Sequence, residues 1–453
     1  MKHAEKMIIQ PENGVINSVI PSLSLPENIA KKWNLDATSL LFRCGALEEV
    51  VDVQVYRTSS SHTVYCSPAL LTSLSLPNQT LPVILTFCNK QNTITLGPIF
   101  CLATNASGDS AELPFGSYTA FCRELAEYCE ENHILFYVYQ LKPREGNSFP
   151  GMIWNQRFWR ETDLPQPSVI YNRIHSRKLE KSSTVQKLKS FWRDQRIPYF
   201  NESFLNKWEI HQKLLPYDQL APFLPETILL TSFDDIQSMM SKHPTLYLKP
   251  LNGSQGKHIF RISYRNDLFS LDYSSFHGNQ TITSPALSGL YPAIRARSKH
   301  VPYLIQQGVP LLEINECPVD FRILCLKGSG EKWHVASAVS RIAQSKEQFV
   351  SNIARGALLK KFEDGLVPFD DAIKKQTKRI IPELAREISQ IIDHQTEGIF
   401  GELGIDLSVD QEGHPWIIEV NTKPSKTSDG ITTSTYRPSV KALIRFINWL
   451  SLS

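Results

Sequence analysis

At 453 residues the chain is longer than a single hydrophobic core organises, so two or three folded units are expected. A hydrophobic content of 42% with 21% charged residues suits a packed, soluble fold and argues against a disordered or membrane-embedded chain. Forty-eight Lys and Arg against 45 Asp and Glu leave +3, too little to mark a nucleic-acid surface.

The opening MKHAEKMIIQPENG has no apolar signal core, and no later run reaches membrane-spanning length. Residues 1–95 read as a small β-rich domain, with alternating strings SLLFRCGAL (39–47), VVDVQVY (50–56) and LPVILTFC (81–88) between turn signals. The string SLSLP stands at 22–26 and again at 73–77, through either a duplicated strand-turn unit or chance. Residues 96–200 change to alternating strand and helix, an α/β unit: LGPIFCLA, a helix from Ser117 to Glu131 with Phe121, Leu125 and Tyr128 at helical spacing, then ILFYVYQL, GMIW and SVIYNRI. The basic stretch Leu179 to Arg196 reads as a helix with a solvated face. Residues 201–453 form the third unit. It opens with a helix capped by Ser203 and carrying Leu205, Trp208 and Leu214. It closes with Ser439 to Leu452, whose Val440, Leu443, Ile444, Ile447 and Leu450 stripe fits a helix packed on that lobe. The fold class is therefore multidomain, mixed α+β and α/β. Eight scattered cysteines, with no CxxC pair and no zinc spacing, read as reduced and mostly buried thiols of a protein made inside the cell.

Three strings carry chemistry. In TLYLKPLNGSQGKHIFRIS a strand ends in Lys249, a loop holds Gly253, Ser254, Gln255 and Gly256, and a second strand follows. Such a loop lets amides approach phosphate oxygens while the lysine supplies charge, although an ordinary β-turn has the same look. It is not a Walker loop, because Gly256-Lys257 is followed by His258 and a strand. In GELGIDLSVDQEGHPWIIEVNTKP two strands meet at a turn near Glu412 and Gly413. Glu419 and Asn421, two apart on one strand, face the same way with Asp406 opposite, offering hard oxygens for Mg²⁺ bridging phosphates. The plainer alternative pairs Glu419 with a cation across the sheet. In CPVDFRILCLKGSGEKWHVASAVSRIA a hairpin turning at Gly328 to Gly330 carries Arg322 on one arm and Arg341 on the other. Both forks suit an anionic ligand and make a candidate catalytic pair, with Asp320 or a nearby glutamate as the competing partner, more for Arg341 than for Arg322.

In this order the strings resemble the ATP-grasp superfamily over about residues 200–430, whose nucleotide lies between two α+β subdomains. The resemblance implies ATP and Mg²⁺ as ligands. Lys207 of NKWEIHQKLL would be the first nucleotide-binding lysine and Lys249 the second, with Gly253, Ser254, Gln255 and Gly256 as the phosphate flap. Gln306, Gln307 and Val309 of YLIQQGVPL would form the adenine hinge. Arg322 would steady the terminal phosphate, and Asp406, Glu419 and Asn421 would hold magnesium. On the residues alone, Lys207 is a surface helix lysine and YLIQQGVPL an ordinary strand. Gln306 and Gln307 stand where many superfamily members have an acidic residue, which leaves the ribose contact unassigned.

The phrases LGPIFCLA, SVIYNRI, NKWEIHQKLL, VDFRILCLK and IIEVNTKP are similar to the endospore coat-associated YheC/YheD-like family, its YheD-type members above all. That resemblance implies an N-terminal accessory domain over 1–95, a pre-ATP-grasp α/β domain over 96–200 and an ATP-grasp lobe over 201–453. It also implies spore coat proteins as partners and deposition at the forespore surface. The expected activity is ligation of a small-molecule or peptide carboxylate to an amine or thiol through an acylphosphate. A coat scaffold that binds ATP with little turnover, and a kinase on the same fold, are the competing readings. Gln344 to Gly356, with Asn352 and Arg355, is either a substrate-side loop or a plain connection.

Overall fold

The alternating stretches of the first hundred residues form strands, and the strands close on themselves. In the computed structural model, which describes residues 2–12, 20–58, 61–142, 149–253, 256–275, 278–345, 356–426 and 434–452, seven strands make a barrel. They are β1 (Lys2–Pro11), β2 (Ser22–Pro26), β3 (Ser39–Cys44), β4 (Leu47–Tyr56), β5 (Thr63–Cys66), β6 (Leu81–Cys88) and β7 (Thr93–Leu96), in the order β1-β5-β2-β4-β3-β7-β6. Closure comes from β1, which pairs antiparallel with β6 from Lys2 opposite Cys88 and parallel with β5. Alternate residues of β6 point into the barrel, and Phe87 among them stacks on buried Trp33 of helix α1 (Glu27–Trp33) with ring centroids 5.3 Å apart. The second SLSLP is no copy of the first. Residues 22–26 are β2, whereas Ser73 ends helix α2 (Pro68–Ser73) and Ser75 sits at φ 52°, off any strand.

The α/β stretch supplies β8 (Ile99–Thr104), α3 (Thr119–Glu131), β9 (Leu135–Tyr139), β10 (Phe149–Trp154), β11 (Trp159–Leu164), β12 (Val169–Arg173), α4 (Arg177–Glu180), α5 (Ser183–Asp194) and β13 (Tyr199–Phe200). The sheet runs β11-β10-β9-β8-β12-β13, parallel from β9 to β13 and antiparallel at the β10–β11 hairpin. β8, β9 and β12 are buried at every position, the mark of a sheet covered on both faces. The expected boundary at 95/96 separates two folds without separating two bodies. One hydrophobic core runs from Met7 to Tyr199, and the unit comprises Met1–Glu202 together with Val440–Ser453. The closing helix α10 (Pro438–Leu450) therefore counts with the first unit, not with the 201–453 lobe. Its buried Phe446 meets Phe200 edge-on at 5.3 Å.

The second unit, Ser203–Ser439, holds two antiparallel sheets. It opens at helix α6 (Lys207–Leu214), capped by Asn206 and not by Ser203: the Asn206 side chain accepts from the Trp208 and Glu209 amides at 2.9 Å, and Glu209 returns a bond to the Asn206 amide. The first sheet contains β14 (Thr227–Leu229), β15 (Thr245–Pro250), β16 (Phe260–Arg265), β17 (Leu268–Ser275), β18 (Gly278–Ser284) and β19 (Tyr303–Gln307), in the order β14-β19-β15-β16-β17-β18. Helices α7 (Phe233–Lys242) and α8 (Tyr291–Ser298) supply Ile236, Met239 and Ile294 to its core. The second sheet contains β20 (Glu313–Ile314), β21 (Cys317–Lys327), β22 (Trp333–Ile342), β23 (Leu358–Lys361), β24 (Glu402–Val409) and β25 (Pro415–Asn421), in the order β23-β22-β21-β24-β25 with β20 paired to β21. Helix α9 (Asp371–His394), capped by Asp370, lays Ile381, Leu384, Ile388 and Ile392 on this sheet. All eight cysteines are free thiols, six of them buried, and among the described residues no helix is long and apolar enough to cross a membrane.

Candidate functional site

The two sheets of the second unit contribute different side chains to one pocket. From the first sheet come Lys249 at the end of β15 and Gln306 and Gln307 at the end of β19, neighbours because β15 and β19 pair with Tyr247 opposite Gln306. Lys249 donates from Nζ to Gln306 Oε1 at 2.5 Å, and Gln306 in turn donates from Nε2 to Thr227 Oγ1 at 3.1 Å. Gln307 Oε1 accepts the Glu226 amide at 3.0 Å, which fixes the hinge strand against the segment before β14. Lys249 is 8% exposed, and burial pushes its ammonium down to about 8, against the opposing pull of Glu419. Val309, Leu311, Ile259 and Tyr247 line the same pocket and give it apolar walls.

The connection between β15 and β16 holds Gly253 and Gly256, and Gly256 lines the pocket with Lys249. At Gly253 a Cβ would fall 2.4 Å from Pro250 Cγ, and Gly256 stands at φ +66°, so both positions call for glycine. Lys207, at the start of α6, donates from Nζ to the Gly253 carbonyl at 2.7 Å and to Glu419 Oε1 at 3.0 Å. Ser254 and Gln255 lie outside the described residues, as do Asn352 and Arg355 of the expected substrate-side loop.

From the second sheet come the charges. Strand alternation and register put Asp320 and Arg322 on one face of β21, Arg341 opposite Asp320, Asp406 opposite Arg322, and Glu419 opposite Asp406. Arg322 grips Asp406 through Nε to Oδ1 and through Nη2 to Oδ2 at 2.9 Å. Arg341 grips Asp320 in the same forked way, at 2.5 and 2.8 Å, and reaches Asp406 Oδ1 at 3.2 Å. Asn421 adds an amide donor to Asp406 Oδ2 at 3.3 Å. Burial alone would raise the Asp406 carboxyl, but Arg322 and Arg341 outweigh it and hold it below the ordinary value. Burial raises Asp320 to about 6 in spite of Arg341.

Of the expected residues, Lys249, Gly256, Gln306, Gln307, Val309, Arg341, Asp406 and Glu419 line this pocket together. Lys207 lines an adjoining cavity that shares Lys249, Gln306 and Glu419, while Gly253 accepts from Lys207, and Arg322 and Asn421 donate to Asp406. The competing partner proposed for Arg341, Asp320, is its partner. Glu419 also has a cation, but it is Lys207 from a helix and not a cation across the sheet. Asp320 was passed over as a site residue, yet its place two before Arg322 in VDFRI puts it on the same strand face, a signal that was available. Thr227 and Tyr247 carried no comparable signal. Among the described residues no three His, Cys, Asp or Glu side chains converge as a metal cluster; the candidate oxygens are two carboxylates and one amide.

A family model described as YheC/D like ATP-grasp matches residues 196–450. Endospore coat-associated protein YheD of Bacillus subtilis (strain 168) is 29% identical over 379 residues, 82% of this chain and 82% of its own. Endospore coat-associated protein YheC of the same organism is 25% identical over 280 residues, 60% of this chain and 74% of its own. Among solved structures, D-alanyl-alanine synthetase A from Vibrio cholerae covers 78% of this chain and 99% of its own at 15% identity, with a TM-score of 0.44, too low to bear on the reaction.

Proposed function

The chain belongs to the YheC/D-like ATP-grasp family, and from that premise we infer that its second unit binds ATP with Mg²⁺ and uses it to activate a carboxylate. The observation that carries this reading is the convergence of Lys249 and the glutamine hinge from one sheet with Arg341, Asp406 and Glu419 from the other in a single pocket. In it the apolar walls and the backbone of Gln306 to Val309 take the adenine, and Lys207, Lys249 and the amides around Gly253 and Gly256 take the phosphates. Asp406, Glu419 and Asn421 offer two carboxylates and an amide oxygen, a donor set that fits Mg²⁺, which binds through one or two carboxylates with phosphate and water completing its shell. Bound there, the metal neutralises phosphate charge.

The chemistry left to the chain is placement and countercharge. A substrate carboxylate oxygen forms a bond to the γ-phosphorus as the bond to the β–γ bridging oxygen breaks and ADP leaves. An amine or thiol then adds to the acyl carbon and phosphate departs. Arg322 and Arg341 supply positive charge beside the transferring group, and a flap formed by the β15–β16 connection keeps water from the acylphosphate. The unknown carboxylate is a small molecule or a peptide. The two relatives are named as endospore coat-associated, so we extend to this chain a place at the forespore surface, with coat proteins as partners.

Calorimetric titration with a non-hydrolysable ATP analogue and Mg²⁺ tests the nucleotide site. The wild-type protein is expected to bind and the Lys249→Ala, Glu419→Ala double variant is not; heat from neither would end the nucleotide reading and leave a coat scaffold on an inherited fold. Hydroxylamine then separates ligase from kinase, because a hydroxamate forms only from an activated carboxylate.

A further inference from the structure

The charged side chains of the site are engaged with one another, and the two arginines are engaged unequally. Arg341 holds two carboxylates: a forked pair with Asp320 at 2.5 and 2.8 Å and a single contact with Asp406 at 3.2 Å. Arg322 holds Asp406 through both of its oxygens, and among the ion pairs of the described residues it has no second carboxylate. Were Asp406 to turn toward a metal ion, Arg341 would keep its fork on Asp320. Arg322, whose side chain is 12% exposed, would be left without an anion. A guanidinium in that position is costly unless another anion arrives at the same place.

Lys207 stands in the same relation to the second carboxylate. Its ammonium binds Glu419 at 3.0 Å and the Gly253 carbonyl at 2.7 Å, so an anion that draws Lys207 away releases Glu419.

We propose that Arg322 is an exchange arm: it covers Asp406 against a divalent cation and yields the carboxylate when a nucleotide phosphate takes the guanidinium, while Arg341 stays on Asp320. The proposal rests on the ATP and Mg²⁺ reading of this pocket. It makes the cation site conditional on phosphate, so that metal and nucleotide reinforce each other through the side chains as well as through their own bond.

The test is the binding of Mn²⁺ alone to the full chain, followed by the electron paramagnetic resonance of the free ion, without nucleotide. The wild-type protein is expected to bind weakly, and Arg322→Met to bind at least about fivefold tighter because Asp406 loses its forked partner and keeps only the Arg341 contact at 3.2 Å and the Asn421 amide. Arg322→Lys, which keeps the charge and the fold but loses the fork, is expected in between. The double variant Asp320→Asn, Arg341→Met removes the other pair together with the lesser 3.2 Å contact on Asp406, and is expected to tighten Mn²⁺ binding less than Arg322→Met does, since the Arg322 fork still covers Asp406. Adding the ATP analogue should tighten Mn²⁺ binding more in the wild type than in Arg322→Met. Equal Mn²⁺ affinity in the wild type, Arg322→Met and Arg322→Lys, with the analogue still tightening Mn²⁺ binding by the wild type, would overturn the exchange and leave the nucleotide site standing. Failure of the wild type to bind Mn²⁺ even with the analogue would overturn both.

Discussion

Each unit buries a cluster of charge, and the two clusters are built on different plans. In the first unit Lys189 donates to the Glu202 carbonyl at 2.5 Å and lies 3.6 Å from Glu180, whose carboxylate accepts the Asn172 amide at 3.1 Å. There a lysine meets a carboxylate, a backbone carbonyl accepts from the lysine, and an amide donates to the carboxylate. In the second unit Asp406 serves two guanidiniums and an amide while Arg341 serves two carboxylates. Both clusters are buried, so burial does not tell them apart. What differs is oversubscription: a carboxylate with more partners than it needs can give one up, and Asp406 and Arg341 line a pocket where something could take it.

The largest expected effect breaks the second cluster. Asp406→Ala leaves Arg341 on Asp320 and strips Arg322 of its ion-pair partner; it should cost about 3–5 kcal/mol in denaturant unfolding and abolish binding of the ATP analogue with Mg²⁺ in calorimetry. The matching change in the first cluster, Lys189→Met, should cost about 2–3 kcal/mol, at or below the usual loss for a broken buried pair because Glu180 keeps the Asn172 amide. Analogue binding should be unchanged by it, and weakened binding would refute the division between a structural cluster and a working one.

A smaller effect comes from pH. Folding lowers the Lys249 ammonium from 10.5 to about 8, so between these values the folded chain holds fewer protons than the unfolded one. Stability from this group therefore rises with pH through that window, while the charge offered to phosphate disappears over it. Analogue affinity should fall about tenfold from pH 8 to pH 9.5. Lys249→Arg, which stays charged, should flatten the profile.

What was legible in the sequence is what local geometry sets. The turn at Glu412 and Gly413 joins adjacent strands, so the pairing from Val409 opposite Pro415 to Leu407 opposite Ile417 follows from a short loop and the period of two, whereas Asp406 meets Glu419 only because a bulge skips Ile418, which the sequence did not mark. The arms carrying Arg322 and Arg341 are likewise adjacent in the chain. What sequence reasoning missed depends on distant meetings. Barrel closure joins Lys2 to Cys88, and neither strand carries a mark of the other. The stripe on α10 announces that the helix packs but not on what, because Val440, Leu443 and Ile447 would suit any apolar surface. The Lys207 contact with Glu419 spans 212 residues, and a lysine in the first turn of a helix looks like any solvated one.

The return of α10 has a consequence for how the protein is made. The chain leaves the first unit after Glu202 and rejoins it at Val440, so the second unit is a guest sequence threaded through its host. A ribosome delivers the guest in full before the host receives Phe446, the residue that covers Phe200. The host thus lacks its last helix through the synthesis of everything between, and a chain truncated before Val440 and released would hold the whole guest sequence in an unfinished host.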